Sequence, residues 1–215
     1  MNLSLRKVLV PLVLALGLVP ASASAAVITF ASRAAFAAGV SGEIVETWDA
    51  LADGTVILGL NGISYDPSGG DAIVTTDYLE LSSPNGLGST SALCPDCFLP
   101  AETMTFTFSS PISAFGISIN TFAGTAGAYT ATTNLGDVVG SFFDPFPGAG
   151  TGQFVGFTST LPFTSVVLTP QTGFTYTLDN LNYVVAQAPE PASLLLVGFG
   201  ASVAAYRRRR KSTTV

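Results

Sequence analysis

From residue 43 to residue 185 the chain is a succession of short runs rich in β-branched and aromatic residues, each closed by a turn-forming residue. The runs are Glu43 to Trp48, Gly62 to Tyr65, Ala72 to Leu81, Thr103 to Phe108, Ala114 to Ile119, Ala128 to Thr133, Asp137 to Phe143, Phe154 to Phe157, Thr164 to Thr169 and Phe174 to Val185. Between them stand breakers such as Asp66-Pro67, Pro84-Asn85-Gly86, Ser110-Pro111, Asp144-Pro145 and Pro170-Gln171. Many short strands punctuated this way predict an all-β fold, a single β-sandwich or jelly-roll-like domain. One short helix fits, with Ser32 as N-cap ahead of Ala34, Ala35, Phe36 and Ala37. In the middle, Phe106 and Phe108 share one strand face, Ser109-Ser110-Pro111 reads as a turn, and Phe115 and Ile117 share a face on the return, which predicts an edge-to-edge hairpin.

The two ends of the chain have a different character. Arg6 and Lys7 precede an apolar stretch from Val8 to Val19, and Ala21-Ser22-Ala23-Ser24-Ala25-Ala26 offers overlapping A-x-A sites. That order predicts a secretory signal peptide over residues 1–25, cleaved after Ala23 or Ala25. At the other end Pro189-Glu190-Pro191 is followed by an apolar run, Ala192 to Tyr206, and then by Arg207, Arg208, Arg209, Arg210 and Lys211. Proline fixes φ and resists helix, so the triplet makes a kinked turn before the run. The run would rise only about 22 Å as a helix, short of the roughly 30 Å hydrocarbon core, and five cations behind it cannot cross. It is predicted to be a transmembrane segment (192–206) with a basic stop, one that holds the chain at the inner membrane transiently.

Residues 188–215 together resemble the PEP-CTERM sorting signal, the substrate of exosortase. The resemblance implies a protein exported across the inner membrane, processed by exosortase, and delivered to the cell surface or an extracellular biofilm matrix. Residues 26–187, about 160 in all, are the right size for one domain with its own core.

Removing the ends changes the charge. Thirteen of the fourteen carboxylates but one of the eight cations, Arg33, fall in residues 26–187, a net charge of −12 with no lysine. Such a surface cannot neutralise phosphates, which excludes nucleic acid and disfavours anionic lipid. Divalent cations and neutral sugars are the partners it admits, exopolysaccharide among them.

Three stretches of the domain carry a further likeness. Glu46-Thr47-Trp48-Asp49 with Gly62-Ile63-Ser64-Tyr65, Met104 to Phe108 running into Pro111 to Gly116, and Tyr176-Thr177-Leu178-Asp179-Asn180-Leu181 are similar to patterns in lectin-like and carbohydrate-binding-module sandwiches. On strand alternation, Thr177, Asp179, Leu181 and Tyr183 share one face. A carboxylate among apolar neighbours needs a partner. The resemblance to calcium-bearing sandwiches implies that Glu46, on the first strand, and Asp179, on the last, meet around a Ca2+ ion. The alternative for Asp179 is a turn cap or a solvated strand end. Oxygen ligands suit calcium, and the chain has no histidine to suit zinc.

Cys94 and Cys97 are the two cysteines. Their C-x-x-C spacing occurs without a βαβ pattern and without further zinc ligands, so a small loop disulfide is expected in an oxidising compartment. With neither histidine nor lysine in residues 26–187, Ser-His-Asp, Cys-His and Ser-Lys chemistry is excluded. Only a carboxylate pair remains, with Glu43, Glu46, Asp49, Glu80 and Glu102 as candidates for a glycosidase. The expectation is a non-catalytic domain that engages matrix polysaccharide, with a secreted glycosidase as the alternative.

Overall fold

The computed structural model describes residues 25–76, 84–145 and 151–187. The signal peptide up to residue 24, Glu80, the Pro189-Glu190-Pro191 triplet, the apolar run and the basic block lie outside the described residues. Among the described residues no helix is long and apolar enough to cross a membrane.

The all-β expectation holds. Strands β1 (Val27–Phe30), β2 (Ile44–Glu46), β3 (Gly59–Leu60), β4 (Ile63–Pro67), β5 (Ala72–Thr75) and β6 (Gly86–Ser89) lead to the long β7 (Met104–Thr121). After it come β8 (Tyr129–Thr133), β9 (Val138–Gly140), β10 (Phe142–Phe143), the long β11 (Thr151–Pro170) and β12 (Tyr176–Val185). All twelve belong to one antiparallel sheet, ordered β5-β6-β12-β7-β11-β8-β9, with β1 and β10 paired to β11, β2 to β12, and β4 to β7. The helix α1 (Arg33–Gly39) starts where expected, with the Ser32 hydroxyl accepting a hydrogen bond from the Ala35 N–H at 3.1 Å.

The predicted hairpin is replaced by something larger. Ser109-Ser110-Pro111 is not a turn between paired strands but a bend inside β7, and both halves of β7 pair with β11. Phe106 and Phe115 are nine residues apart, which is about 30 Å along a straight strand. Their ring centroids are 5.6 Å apart. Likewise Phe157 and Phe163 on β11, about 20 Å apart if extended, stack at 5.4 Å. The β7–β11 ribbon therefore folds over on itself, and the register slips between Thr158 and Ser165 where it does so. Proline explains the location: Pro111 and Pro162 have no N–H to give a ladder, so the sheet interrupts and bends there.

Folding the ribbon brings two halves of one sheet face to face. Residues 104–108 of β7 with β4, the end of β11, β8 and β9 form one half; residues 112–121 with the start of β11, β12, β6 and β5 form the other. Between them lies the core, with Tyr65, Phe106, Phe115, Ile117, Phe157 and Leu181 in it. On the outer side of the second half, Phe36 of α1 and Phe154 make a satellite cluster with Ala114. Two facing glycines, Gly116 and Gly156, give it room; a Cβ on Gly156 would stand 2.2 Å from the Phe154 ring.

Ala26 and Ala186, near the two ends of the described domain, both pack at the bend. Ala26 donates to Thr160 Oγ1 at 2.9 Å and accepts from the Thr160 N–H at 3.1 Å, while the Ala186 N–H donates to the Pro111 carbonyl at 2.9 Å. The opposite end of the molecule carries the loop after β7, the start of β12 and the segment from Leu93 to Glu102, tied together by Thr121↔Tyr176 and Phe98↔Tyr176 pairing.

The buried tyrosines predict an alkaline weak point. Burial pushes the Tyr129 hydroxyl up to about 12, although its hydrogen bond to Thr121 Oγ1 at 2.8 Å pulls the other way. Burial also raises Tyr65, Tyr176 and Tyr183, with the Glu46 carboxylate adding to the rise at Tyr65 and Tyr183. In each case the neutral phenol is favoured in the fold, so the stability is intact below pH about 10 and is lost as pH climbs towards the folded values. Tyr129 alone accounts for about 3 kcal/mol of that loss. Urea midpoints taken from pH 8 to pH 12 should fall steeply only above about pH 10, together with the rise in tyrosinate absorbance; a flat profile would contradict this burial.

Candidate functional site

The bend corner carries a groove of about 360 Å³, lined by Asn61, Ser64, Thr107, Phe108 and Ser109 among others. Its wall is the β3–β4 hairpin, where Leu60 pairs with Ile63 across Asn61-Gly62. Both turn residues have positive φ, 52° and 79°, the geometry that suits Asn-Gly in a two-residue hairpin. The turn is pressed against the bend so closely that a Cβ on Gly62 would stand 2.6 Å from Ser109 Oγ. Glu46 holds it from behind, accepting from Asn61 Nδ2 at 2.6 Å and from the Trp48 N–H at 3.4 Å. Trp48, the one tryptophan, is itself at φ 61° and buried against Tyr65. It offers no face to a ligand.

The structure separates the two residues expected to share a calcium ion. Asn180 sits at φ 50°, and the register between β12 and β7 slips by one residue between Asp179 and Asn182. This is a β-bulge, and it breaks the alternation that put Asp179 with Leu181 and Tyr183. Asp179 lies opposite Ser118, whose neighbours Ile117 and Ile119 point into the core, so Asp179 faces outward from the core. Glu46 lies opposite the core residue Leu181 and hence on the core-facing side. The two carboxylates are on opposite faces of β12. Asp179 is nevertheless buried, and its Oδ1 accepts from the Asn180 N–H at 2.6 Å, which braces the bulge. Among the described residues no three His, Cys, Asp or Glu side chains gather where a metal could sit.

The other candidate carboxylates are dispersed and mostly occupied with backbone. Asp49 accepts from the Asn85 N–H at 3.4 Å, while the Asn85 amide donates to the Leu51 carbonyl at 2.7 Å. Buried Glu102 accepts from the Leu99 N–H at 3.0 Å and lies flat over Gly69. Asp144 takes the Arg33 N–H at 2.9 Å at the start of α1, and Glu43 lines the same shallow hollow. Among the described residues, Glu43 and Asp144 thus share one hollow, whose described lining is otherwise Arg33, Ala34 and Ala37, with no aromatic ring.

Cys94 and Cys97 are joined in a disulfide with a Cα–Cα distance of 5.3 Å. The loop it closes packs on β6, where a Cβ on Gly88 would meet the Asp96 carbonyl at 2.2 Å, and it leads into Phe98, stacked on Tyr176 at 4.9 Å. A four-residue ring removes little chain entropy, so a Cys94→Ser/Cys97→Ser variant should lose about 2 kcal/mol and still fold. Thermal melts of the oxidised, reduced and double-serine proteins check this; collapse of the double variant would show that the loop is a folding determinant.

Sequence reasoning passed over two features. One is the Asn61-Gly62 turn, whose signal was present as an N-G pair between apolar residues. The other is at the far end, where Phe122 is 63% and Phe174 48% exposed, as is Leu93 at 85%. Phe174 fell inside a predicted strand and Phe122 just outside one, so neither stood out as a surface ring.

Residues 187–211 match the profile of the PEP-CTERM protein-sorting motif. No curated protein matches the chain. Two solved structures, both mutants of the CBM29-2 module from studies of ligand recognition by family 29 carbohydrate binding modules, are similar at 11% identity and a TM-score of 0.34. The likeness covers 69% of this chain and 96% of the first module, and 70% and 99% for the second. A likeness at that score carries no argument about ligand. The motif does identify how the chain is handled: this is an exported protein carrying the C-terminal PEP-CTERM sorting signal of exosortase-dependent proteins.

Proposed function

We propose that the chain is a cell-surface or matrix protein whose β domain, a folded-over sheet that works as a β-sandwich, binds neutral exopolysaccharide without cleaving it. The observation that carries this reading is the disposition of the carboxylates. Hydrolysis by a carboxylate pair needs two such groups facing each other, roughly 5 to 10 Å apart, across a bound sugar. Among the described residues Asp49, Glu102 and Asp144 hold backbone N–H groups and Glu46 holds the Asn61 turn, while Glu43 and Asp144, which share a hollow, do so beside α1 with no aromatic in its described lining to seat a sugar. Charge narrows the ligand: with Arg33 as the one cation in residues 26–187, a uronate-rich or phosphorylated polymer would be repelled, whereas a neutral polyol needs only hydroxyls, amides and apolar faces.

The test is retention of the exported protein on the producing cell's own exopolysaccharide, with reducing ends assayed in parallel. Retention without release supports a binding protein. Release that a single carboxylate-to-amide change at Glu43 or Glu46 abolishes would establish the glycosidase instead.

A further inference from the structure

Among the described residues Ala186 is the last one tied to the sheet. Val184 pairs with Ala114 and Val185 with Ile112, and the Ala186 N–H donates to the Pro111 carbonyl at 2.9 Å. The sorting motif matches from residue 187, and only Gln187 and Ala188 separate Ala186 from Pro189. Three residues of fully extended chain reach about 10 Å, so the recognition triplet is tethered that close to the bend. A protein of even 100 residues has a radius of gyration of about 13 Å, so an enzyme that holds the triplet in its site extends past the end of the tether.

We propose that the bend is a docking surface for the membrane-bound processing enzyme, the exosortase that reads the sorting motif, and that the two folded proteins touch there whenever the triplet is engaged. Ser109, Ser110 and Pro111 on β7 and Thr160 and Pro162 on β11 are exposed at the bend, with Leu161 half-buried beside them. None carries a charge, and neither do the arms that lead to them: no charged residue stands between Thr103 and Gly136 or between Pro145 and Leu178. This matters in a domain with thirteen carboxylates and one cation. A charge pressed against another folded surface loses its water, which is costly unless it finds a partner. The bilayer is the weaker occupant. The apolar run begins at Ala192, beyond the triplet, so an enzyme that holds the triplet stands between the bend and the hydrocarbon.

The bend is also held in one shape. The Ser109 N–H donates to the Gly62 carbonyl at 2.8 Å, and the turn that carries Gly62 is pressed against Ser109 Oγ. Thr160 is bonded to Ala26 through both its N–H and its hydroxyl, and Pro111 accepts from Ala186. A surface fixed in this way loses little further entropy when a partner seats on it. Ser110 lies at its centre, outside the paired positions of β7 with β11, β12 and β4, so its side chain is free to meet the partner without disturbing the ladder.

This inference goes beyond the polysaccharide reading and stands whether or not a glycan binds. The test uses the full-length chain in the producing cell. The photoreactive residue p-benzoylphenylalanine is placed at Ser110 and, as a control at the opposite end, at exposed Thr125 in the loop after β7. Irradiation should join the precursor to exosortase from position 110 and not from position 125. Adducts with lipid alone, or equal adducts from both positions, would overturn the docking surface. Ser110→Arg should lower the rate of processing about tenfold in a pulse-chase, because it sets an unpaired charge in the contact. Its melting temperature should match wild type, and Thr125→Arg should be processed normally. A flexible Gly-Ser linker of about ten residues between Gln187 and Ala188 adds roughly 18 Å of reach and should restore processing of Ser110→Arg, since the triplet is then taken with the bend standing clear. Processing of Ser110→Arg at the wild-type rate overturns the inference, as does a defect that the linker leaves in place.

Discussion

Replacing Pro189, Glu190 and Pro191 by alanines should leave nearly all of the protein in the inner membrane, uncleaved and still carrying its basic end. The triplet lies within the matched sorting motif, and its two prolines are the residues there that resist helix, a resistance that alanines remove. The turn expected from the sequence would then be lost, and the apolar sequence would lengthen by three residues towards the roughly 20 that span a bilayer. Fractionation of producing cells checks this, with the mass of the C-terminus read in each fraction. Undiminished delivery of processed protein to the surface or medium would contradict the role given to the triplet. Deleting Arg207 to Lys211 should act differently, weakening retention before processing because nothing then stops the tail from slipping across.

The largest stability effect is expected from Phe115→Ala. Phe115 is fully buried at the fold of the ribbon and meets Phe106, Phe108 and Phe157 at centroid distances of 5.6, 6.5 and 5.9 Å. These rings belong to both halves of the sheet, so the cavity left behind cannot collapse without moving the halves together. A loss of about 3 to 5 kcal/mol is expected, against a total of about 5 to 15 for a domain. Urea unfolding of the exported domain measures it. Phe122→Ala is the matched control, a ring of the same size on the surface, and should shift the midpoint little.

Much of this fold is legible in the chain, and the misreadings share a cause. Runs of β-branched and aromatic residues mark strands because side chains must alternate across a half-buried sheet, and α1 announces itself through Ser32. Pro111 and the break before Thr164 looked like turns because proline cannot complete a ladder. Whether a strand ends at such a residue or bends and continues depends on what lies across the core, here Phe106 against Phe115, and local sequence does not hold that information. Asn180 is the sharper case. Strict alternation put Asp179 with Leu181; one residue at positive φ moved it to the opposite face, and although asparagine tolerates that region better than most residues, an Asn within a strand-like run does not by itself mark a bulge. The sorting signal was readable for the opposite reason, since it is a linear pattern that needs no tertiary partner.

The placement of β12 has a mechanical consequence. Its C-terminal end leads to the sorting motif, so traction on the tail against the rest of the domain pulls β12 along its own axis past its neighbours. β12 is flanked by β7 on one side and by β2 and β6 on the other. Force applied that way loads its hydrogen bonds in shear, many at once, instead of peeling them one after another from an edge. A domain built so resists a pull along its tail better than a sideways pull on β9, the strand that ends the sheet beside β8.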